Sequence, residues 1–228
     1  LAITLRGETA RIERLRLRGG DGELVIGGGA TLGAAPRAQL QIDARRFQLL
    51  GRLDRRIITS GRAELRFDAD ALKLDGSFAI DEGLFDFTRS DAPSLDSDIV
   101  VVRRRGEAPR TPDQLAAERA KAAPPPKRST DVQLRVDLGD KLLLRGRGID
   151  TRLRGHVAIT TPQGRLAVNG AVRTEGGTYA AYGQKLEIRR GVVAFSGVPD
   201  NPRLDIVAVR PNLDVDVGVA VSGTALNP

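Results

Sequence analysis

The chain has no cysteine, no methionine and no tryptophan among its 228 residues, one histidine, and only 4% aromatic side chains. Without cysteine there is no disulfide scaffold, no thiolate metal site and no thiol nucleophile. The lone histidine, His156, leaves a Ser-His-Asp triad or a multi-histidine metal site almost without material. Apolar runs reach only four residues, as at Ile99-Val100-Val101-Val102, far short of the ~20 that a membrane-crossing helix needs. No secretory signal opens the chain. It starts at Leu1 without an initiator methionine and stops at Asn227-Pro228, which reads as a piece of a longer protein. The shortage of aromatics removes the stacking platforms of single-strand nucleic-acid binders and the girdles of a transmembrane barrel, so nucleic acid is not an expected partner.

What is present is charge and aliphatic side chains. The net charge is +7 and the pI about 10.4, and the 36 basic residues are mostly arginine. On its own that balance suggests an anionic partner. The cations are interleaved with acids, however, as in Arg11-Ile12-Glu13-Arg14 and Arg62-Ala63-Glu64-Leu65-Arg66. Such spacing reads as the solvated side of strands.

Alternation with a period of two dominates the sequence. Leu213, Val215, Val217, Val219 and Val221 occupy successive odd positions, with Asp214, Asp216, Gly218 and Ala220 between them. This is the pattern of a half-buried strand. It recurs at Ile149-Thr151-Leu153, Val157-Ile159, Leu166-Val168-Gly170-Val172, Leu40-Ile42-Ala44, Ala63-Leu65-Phe67 and Leu72-Leu74-Gly76-Phe78-Ile80. Turn residues punctuate it every eight to twelve positions, at Gly19 to Gly22, Gly27 to Gly29, Asp54, Gly61, Asp75-Gly76, Gly139-Asp140, Pro162 to Gly164, Gly176-Gly177 and Gly197 to Pro199. Short strands at that spacing predict an antiparallel meander. Asn169-Gly170 admits a hairpin turn or one strand carrying a glycine bulge, and the unbroken phase favours the strand. A clearer hairpin is predicted where Lys185 to Ile188 is followed by Arg189-Arg190-Gly191 and Val192 to Phe195.

Residues 103 to 130 break the pattern with Arg103-Arg104-Arg105, Pro109, Pro112, an Ala-rich stretch and Pro124-Pro125-Pro126. They predict a basic, Pro/Ala-rich mobile loop between an N-terminal strand block, 1–102, and a C-terminal one, 131–228. No amphipathic helix is available to cover the apolar sheet face. That leaves a closed sandwich, or a sheet folded over on itself around an aliphatic trough that would suit acyl chains. Pattern alone does not separate the two.

Catalytic signals are weak. Asp214 and Asp216 share a strand face, but nothing sets their pKa values apart. Asp68, Asp70 and Asp75 resemble a calcium loop only faintly, since Leu72 and Leu74 continue a strand. Gly27-Gly28-Gly29 lacks the Lys-Ser/Thr and helix of a phosphate cradle. His156 falls on the polar phase, and Tyr179 and Tyr182 lie in a turn-rich stretch suited to local packing. No enzyme activity, metal or cofactor is expected.

Specific strings carry a resemblance. Gly148-Ile149-Asp150-Thr151-Arg152-Leu153-Arg154-Gly155, Leu166-Ala167-Val168-Asn169-Gly170, Gly177-Thr178-Tyr179-Ala180-Ala181-Tyr182-Gly183-Gln184-Lys185-Leu186-Glu187-Ile188 and Asn201-Pro202-Arg203-Leu204-Asp205-Ile206 arrive in the order of the C-terminal domain of the TamB family of the translocation and assembly module, which this chain resembles. The resemblance is close over 131–228 and looser over 1–102. Its motif positions are Tyr179, Tyr182, Gly183, Gln184, Asn201, Pro202 and Asp205. It implies an all-β, elongated antiparallel sheet curled into a half-open, taco-like trough with an aliphatic interior. It also implies a periplasmic segment of a protein held in the inner membrane by an N-terminal anchor absent here. The implied partners are phospholipid and an Omp85-type (TamA-like) outer-membrane barrel, and the implied roles are phospholipid transport and outer-membrane protein assembly. The residues expected to line the lipid groove are Leu72, Leu74, Phe78, Ile80, Leu153, Val157, Ile159, Leu166, Val168, Val172, Leu204, Ile206, Leu213, Val215, Val217, Val219 and Val221. A non-conducting scaffold that binds the barrel or its client strands by β-augmentation is the alternative.

Overall fold

A computed structural model describes residues 2–33, 35–88, 129–181, 183–211 and 217–228. They form thirteen strands, β1 (Ala2–Arg6), β2 (Thr9–Gly19), β3 (Gly22–Thr31), β4 (Arg37–Gly51), β5 (Arg55–Phe67), β6 (Ala71–Asp86), β7 (Ser129–Asp137), β8 (Leu142–Gly146), β9 (Ile149–Thr160), β10 (Ala167–Ala181), β11 (Gln184–Gly197), β12 (Arg203–Val209) and β13 (Gly218–Thr224), with a single 3-10 turn at Pro162–Gly164. All thirteen belong to one sheet. A closed sandwich would need a second sheet, and there is none among the described residues, where no large side chain is fully buried.

The order follows the chain as an antiparallel meander with one departure. β7 and β8 both run parallel to β6, pairing Ala71↔Ser129 and Gly83↔Leu142, and both pair antiparallel with β9. They are two halves of one interrupted strand, broken at Leu138 to Lys141 as the Gly139-Asp140 signal predicts. Parallel neighbours cannot be joined by a tight turn. The residues between Asp86 and Ser129 supply the long connection, and most of the expected 103–130 loop, with the apolar run at Ile99, lies outside the described residues.

Strands run to 15 and 16 residues in β4 and β6, longer than the turn spacing implies. Gly27 to Gly29, Gly61 and Asp75-Gly76 are not turns but lie inside β3, β5 and β6. The 185–195 hairpin is likewise replaced by one continuous strand, β11, with a bulge between Ile188 and Arg190. Gly176-Gly177 is a bulge within β10 rather than a turn, and register shifts there, not at Gly170. β10 passes through Asn169-Gly170 in a single register, as the unbroken phase indicates. The reason is common to these corrections. A glycine also permits a bulge or a close backbone approach, and neither ends a strand.

Candidate functional site

Register places the aliphatic phases of successive strands on one face. One row runs Leu17↔Leu24↔Ala44↔Gly61↔Phe78↔Val136↔Val157↔Gly170↔Phe195, from β2 to β11. A second runs Leu15↔Ile26↔Ile42↔Ala63↔Gly76↔Leu134↔Ile159↔Val168↔Gly197. A third, Gly155↔Val172↔Val193↔Leu204↔Gly223, reaches β13. None contains a polar side chain. Within the described strands, Arg55 at the start of β5, opposite Phe85, is the one charged residue that register puts on this face.

The buried polar residues on the aliphatic face are threonines, each hydrogen-bonded. Thr151, 3% exposed, donates its hydroxyl to the Gly176 carbonyl at 2.5 Å, at the β10 bulge. Thr59 donates to the Ala79 carbonyl at 2.8 Å, beside the β6 bulge. A bulge frees backbone groups from the ladder, and a hydroxyl answers the desolvation cost of one.

The opposite face is ionic. The row Arg16↔Val25↔Asp43↔Arg62↔Ser77↔Arg135↔Ala158↔Asn169↔Ser196 alternates with the aliphatic rows. Asp43 holds Arg62 at 2.9 Å and Arg45 at 3.1 Å, Glu175 holds Arg154 at 2.7 Å, and Asp205 holds Arg190 at 3.0 Å. Exposed pairs of this kind add about 0–1 kcal/mol each, so they neutralise the face more than they stabilise it. Arg66 and Gln39 hydrogen-bond Glu64 and hold its carboxyl below the usual range. A concavity of about 930 Å³ lies on this ionic face, against Gln41, Asp43, Arg62, Glu64, Asp75, Ser77, Gln133 and Arg135. No sequence signal points to it, because concavity is a property of sheet coiling rather than of residue pattern.

The structure brings together Leu72, Leu74, Phe78, Ile80, Leu153, Val157, Ile159, Val168, Val172, Leu204, Ile206, Val219 and Val221 on the aliphatic face. Two expected members stand apart. Leu166 precedes β10 and is 56% exposed, because the strand starts one residue later, after the 3-10 turn. Val217 precedes β13 and is also exposed. Leu213, Val215, Asp214, Asp216 and Tyr182 lie outside the described residues.

The described motif positions lie in strands and at strand ends. Tyr179 is not in a turn but in β10, opposite Ile149 and Leu186 on the aliphatic face. Gly183 occupies the β10–β11 turn at φ +73°, and Gln184 pairs with Ala181. The Asn201 side chain accepts the Leu226 N–H at 3.0 Å, and the Pro202 carbonyl accepts that of Ala225 at 2.9 Å, which pins the chain after β13 to the start of β12. His156 is exposed on the ionic face opposite Asp137. Asp68 accepts the N–H groups of Asp70 and Ala71, which holds its carboxyl below the usual range and shapes the β5–β6 turn. Among the described residues no group of acids and histidine is placed to hold a metal ion.

Among the described residues, one continuous sheet with an aliphatic face and an ion-paired face defines an amphipathic single-sheet protein. The family described as TamB C-terminal domain matches residues 13–228, and the chain belongs to it. It is also similar to the translocation and assembly module protein TamB of Haemophilus influenzae (strain ATCC 51907 / DSM 11121 / KW20 / Rd), 34% identical over 100 residues. That stretch is 42% of this chain and 8% of the relative, so the chain spans a small part of that protein's length.

Proposed function

We propose that this chain is a periplasmic stretch of an inner-membrane-anchored bridge along which phospholipid acyl chains travel between the two membranes. It takes part in outer-membrane protein assembly within the translocation and assembly module, with an Omp85-type, TamA-like barrel as partner. The observation that carries this reading is the set of polar-free rows crossing the sheet from β2 to β13. An acyl chain laid on such a face gains about 0.8 kcal/mol for each CH₂ withdrawn from water, without directional contacts that would stop it sliding. The reading uses no catalytic residue and no cofactor.

Photo-crosslinkers at Val168 and Val219 test it against crosslinkers at Asn169 and Ala220, which register places on the other face. Phospholipid captured at the first pair and not at the second is the expected result, and equal capture at both overturns it. A second reading has one observation of its own. β13 ends the sheet with no further strand on its outer side among the described residues, which offers backbone groups to a barrel strand or client strand. Proline at Ser222, whose N–H points away from β12 by the alternation that bonds Arg210 to Val217 and Ala225 to Pro202, would then abolish partner binding while leaving lipid capture at Val168 unchanged.

A further inference from the structure

The β4–β5 hairpin ends unlike the rest of the sheet. Arg52 and Arg55 exchange backbone hydrogen bonds at 2.9 and 3.3 Å, closing a two-residue turn with Leu53 and Asp54 at its apex. Leu53 is 89% exposed and Leu49 62%, with Leu50 between them also exposed. Single exposed leucines are ordinary on a protein surface, but three within five residues at one hairpin apex form an apolar tip. Arg52, Arg55 and Arg56 flank it. Asp54 pairs with Arg52 at 3.3 Å and Arg55 at 3.5 Å, and Arg55 also lies 5.7 Å over the Phe87 ring. Asp86 donates its N–H to the Asp54 carbonyl at 2.8 Å, and Glu82 is within electrostatic reach of Arg56.

The tip stands on a built base. β4 shifts register twice just before it, at Arg45-Arg46 and at Leu49, and the second shift leaves Leu49 without a partner on β5. Arg46 takes φ +46°, a conformation costly for a side chain this size, and three bonds hold it there. Its N–H donates to Ser60 Oγ at 2.9 Å, its guanidinium to Glu82 at 2.8 Å, and Ser60 in turn donates to Asp81 at 2.6 Å. The exposed leucines are therefore presented by an ordered framework and are not a frayed end.

We propose that the β4–β5 hairpin tip is a membrane-docking element. Leu49, Leu50 and Leu53 enter the acyl boundary of a bilayer, while Arg52 and Arg56 bind the phosphates of anionic lipids. Leucines flanked by arginines match the layering of an interface, apolar below and anionic above. The hairpin also continues the aliphatic face, since Phe47 pairs with Thr59 and Leu50 with Ile57 on the same side as Ile42 and Ala44. That continuity offers acyl chains an apolar path between bilayer and sheet. The docking claim itself stands whether or not lipid is carried.

The test uses the whole 228-residue chain and flotation with phosphatidylethanolamine vesicles, with and without phosphatidylglycerol. Binding is expected with phosphatidylglycerol and not without it. Leu49→Ser/Leu53→Ser and Arg52→Gln/Arg56→Gln are each expected to weaken it roughly tenfold or more with unchanged strand content, while Leu32→Ser/Leu226→Ser at other exposed sites leaves it unchanged. Because the chain has no tryptophan, Leu53→Trp supplies a single reporter, expected to shift to the blue and to be quenched by brominated lipid. No flotation, equal flotation without phosphatidylglycerol, undiminished binding of the leucine variant, or an unquenched Trp would each overturn the proposal. Lipid capture at Val168 is read separately, so docking and carriage fail independently.

Discussion

Val157 and Gly170 face each other across β9 and β10, and a Cβ on Gly170 would stand 2.3 Å from the His156 carbonyl oxygen. Gly155, two pairs along opposite Val172, repeats the relationship with the Ala171 carbonyl at 2.0 Å. Both glycines sit at positive φ, +128° and +134°, in a region that side chains rarely enter. Gly170→Ala and Gly155→Ala should each cost roughly 2–4 kcal/mol in urea denaturation, through strain and a backbone clash together. Gly7→Ala, at φ +56° with open space around it, should cost only about 1–2 kcal/mol.

Those glycines also show which parts of the fold the sequence can convey. Alternation identifies the aliphatic phase of nearly every strand, because side chains on one face recur every second residue whatever the strand's neighbours. Strand ends are misplaced where one signal has two causes, as at Gly61 and Gly176-Gly177. The regularity that alternation overlooks lies in adjacent charges. Glu13-Arg14, Arg45-Arg46, Asp81-Glu82 and Arg189-Arg190 each sit at a register shift. Two consecutive charges would drive one side chain into the aliphatic face of a regular strand. The bulge absorbs the extra residue and restores the phase, so such a pair inside an alternating segment marks a bulge and not a hairpin. The parallel pairing of β6 with β7 has no local sign, since it joins Ala71 to Ser129, 58 positions apart.

Ile159 and Ala158 are neighbours on opposite faces, opposite Val168 and Asn169 respectively. Ile159→Asp puts a carboxylate among Leu134 and Val168 and should cost about 1–3 kcal/mol, together with loss of phospholipid crosslinking at Val168. Ala158→Asp lands beside Arg135 and should change stability by under about 0.5 kcal/mol. Paired denaturation and crosslinking curves check this, and equal effects of the two would refute the assignment of faces.

The connection between Asp86 and Ser129 must return along β6, whose 16 residues span ~50 Å. At ~3.3–3.6 Å per residue, about 15 residues are the least that can do so. Replacing residues 90–127 by a Gly/Ser linker of about 30 residues should preserve the sheet, and one of about six should abolish the parallel pairing. The cysteine-free background gives a direct readout. Lys73→Cys and Asp131→Cys, partners across β6 and β7, should form a disulfide on oxidation with the long linker and not with the short one.

Arg46 and Glu82 supply the pH dependence. Their hydrogen bond holds the Glu82 carboxyl below its usual value of 4.5 and raises the Arg46 guanidinium. A carboxyl whose pKa is lower folded than unfolded stabilises the protein fully above the unfolded value, and that contribution disappears as pH falls through the folded one. Glu82→Gln should therefore lower the thermal midpoint at about pH 7 but match the parent protein at about pH 3, where both have lost the charge. Ser60→Ala removes the acceptor for the Arg46 N–H and should cost about 1 kcal/mol at either pH. If the Glu82→Gln difference persisted undiminished into acid, Glu82 would be acting through packing, and the strained Arg46 backbone would have to be held by Ser60 alone.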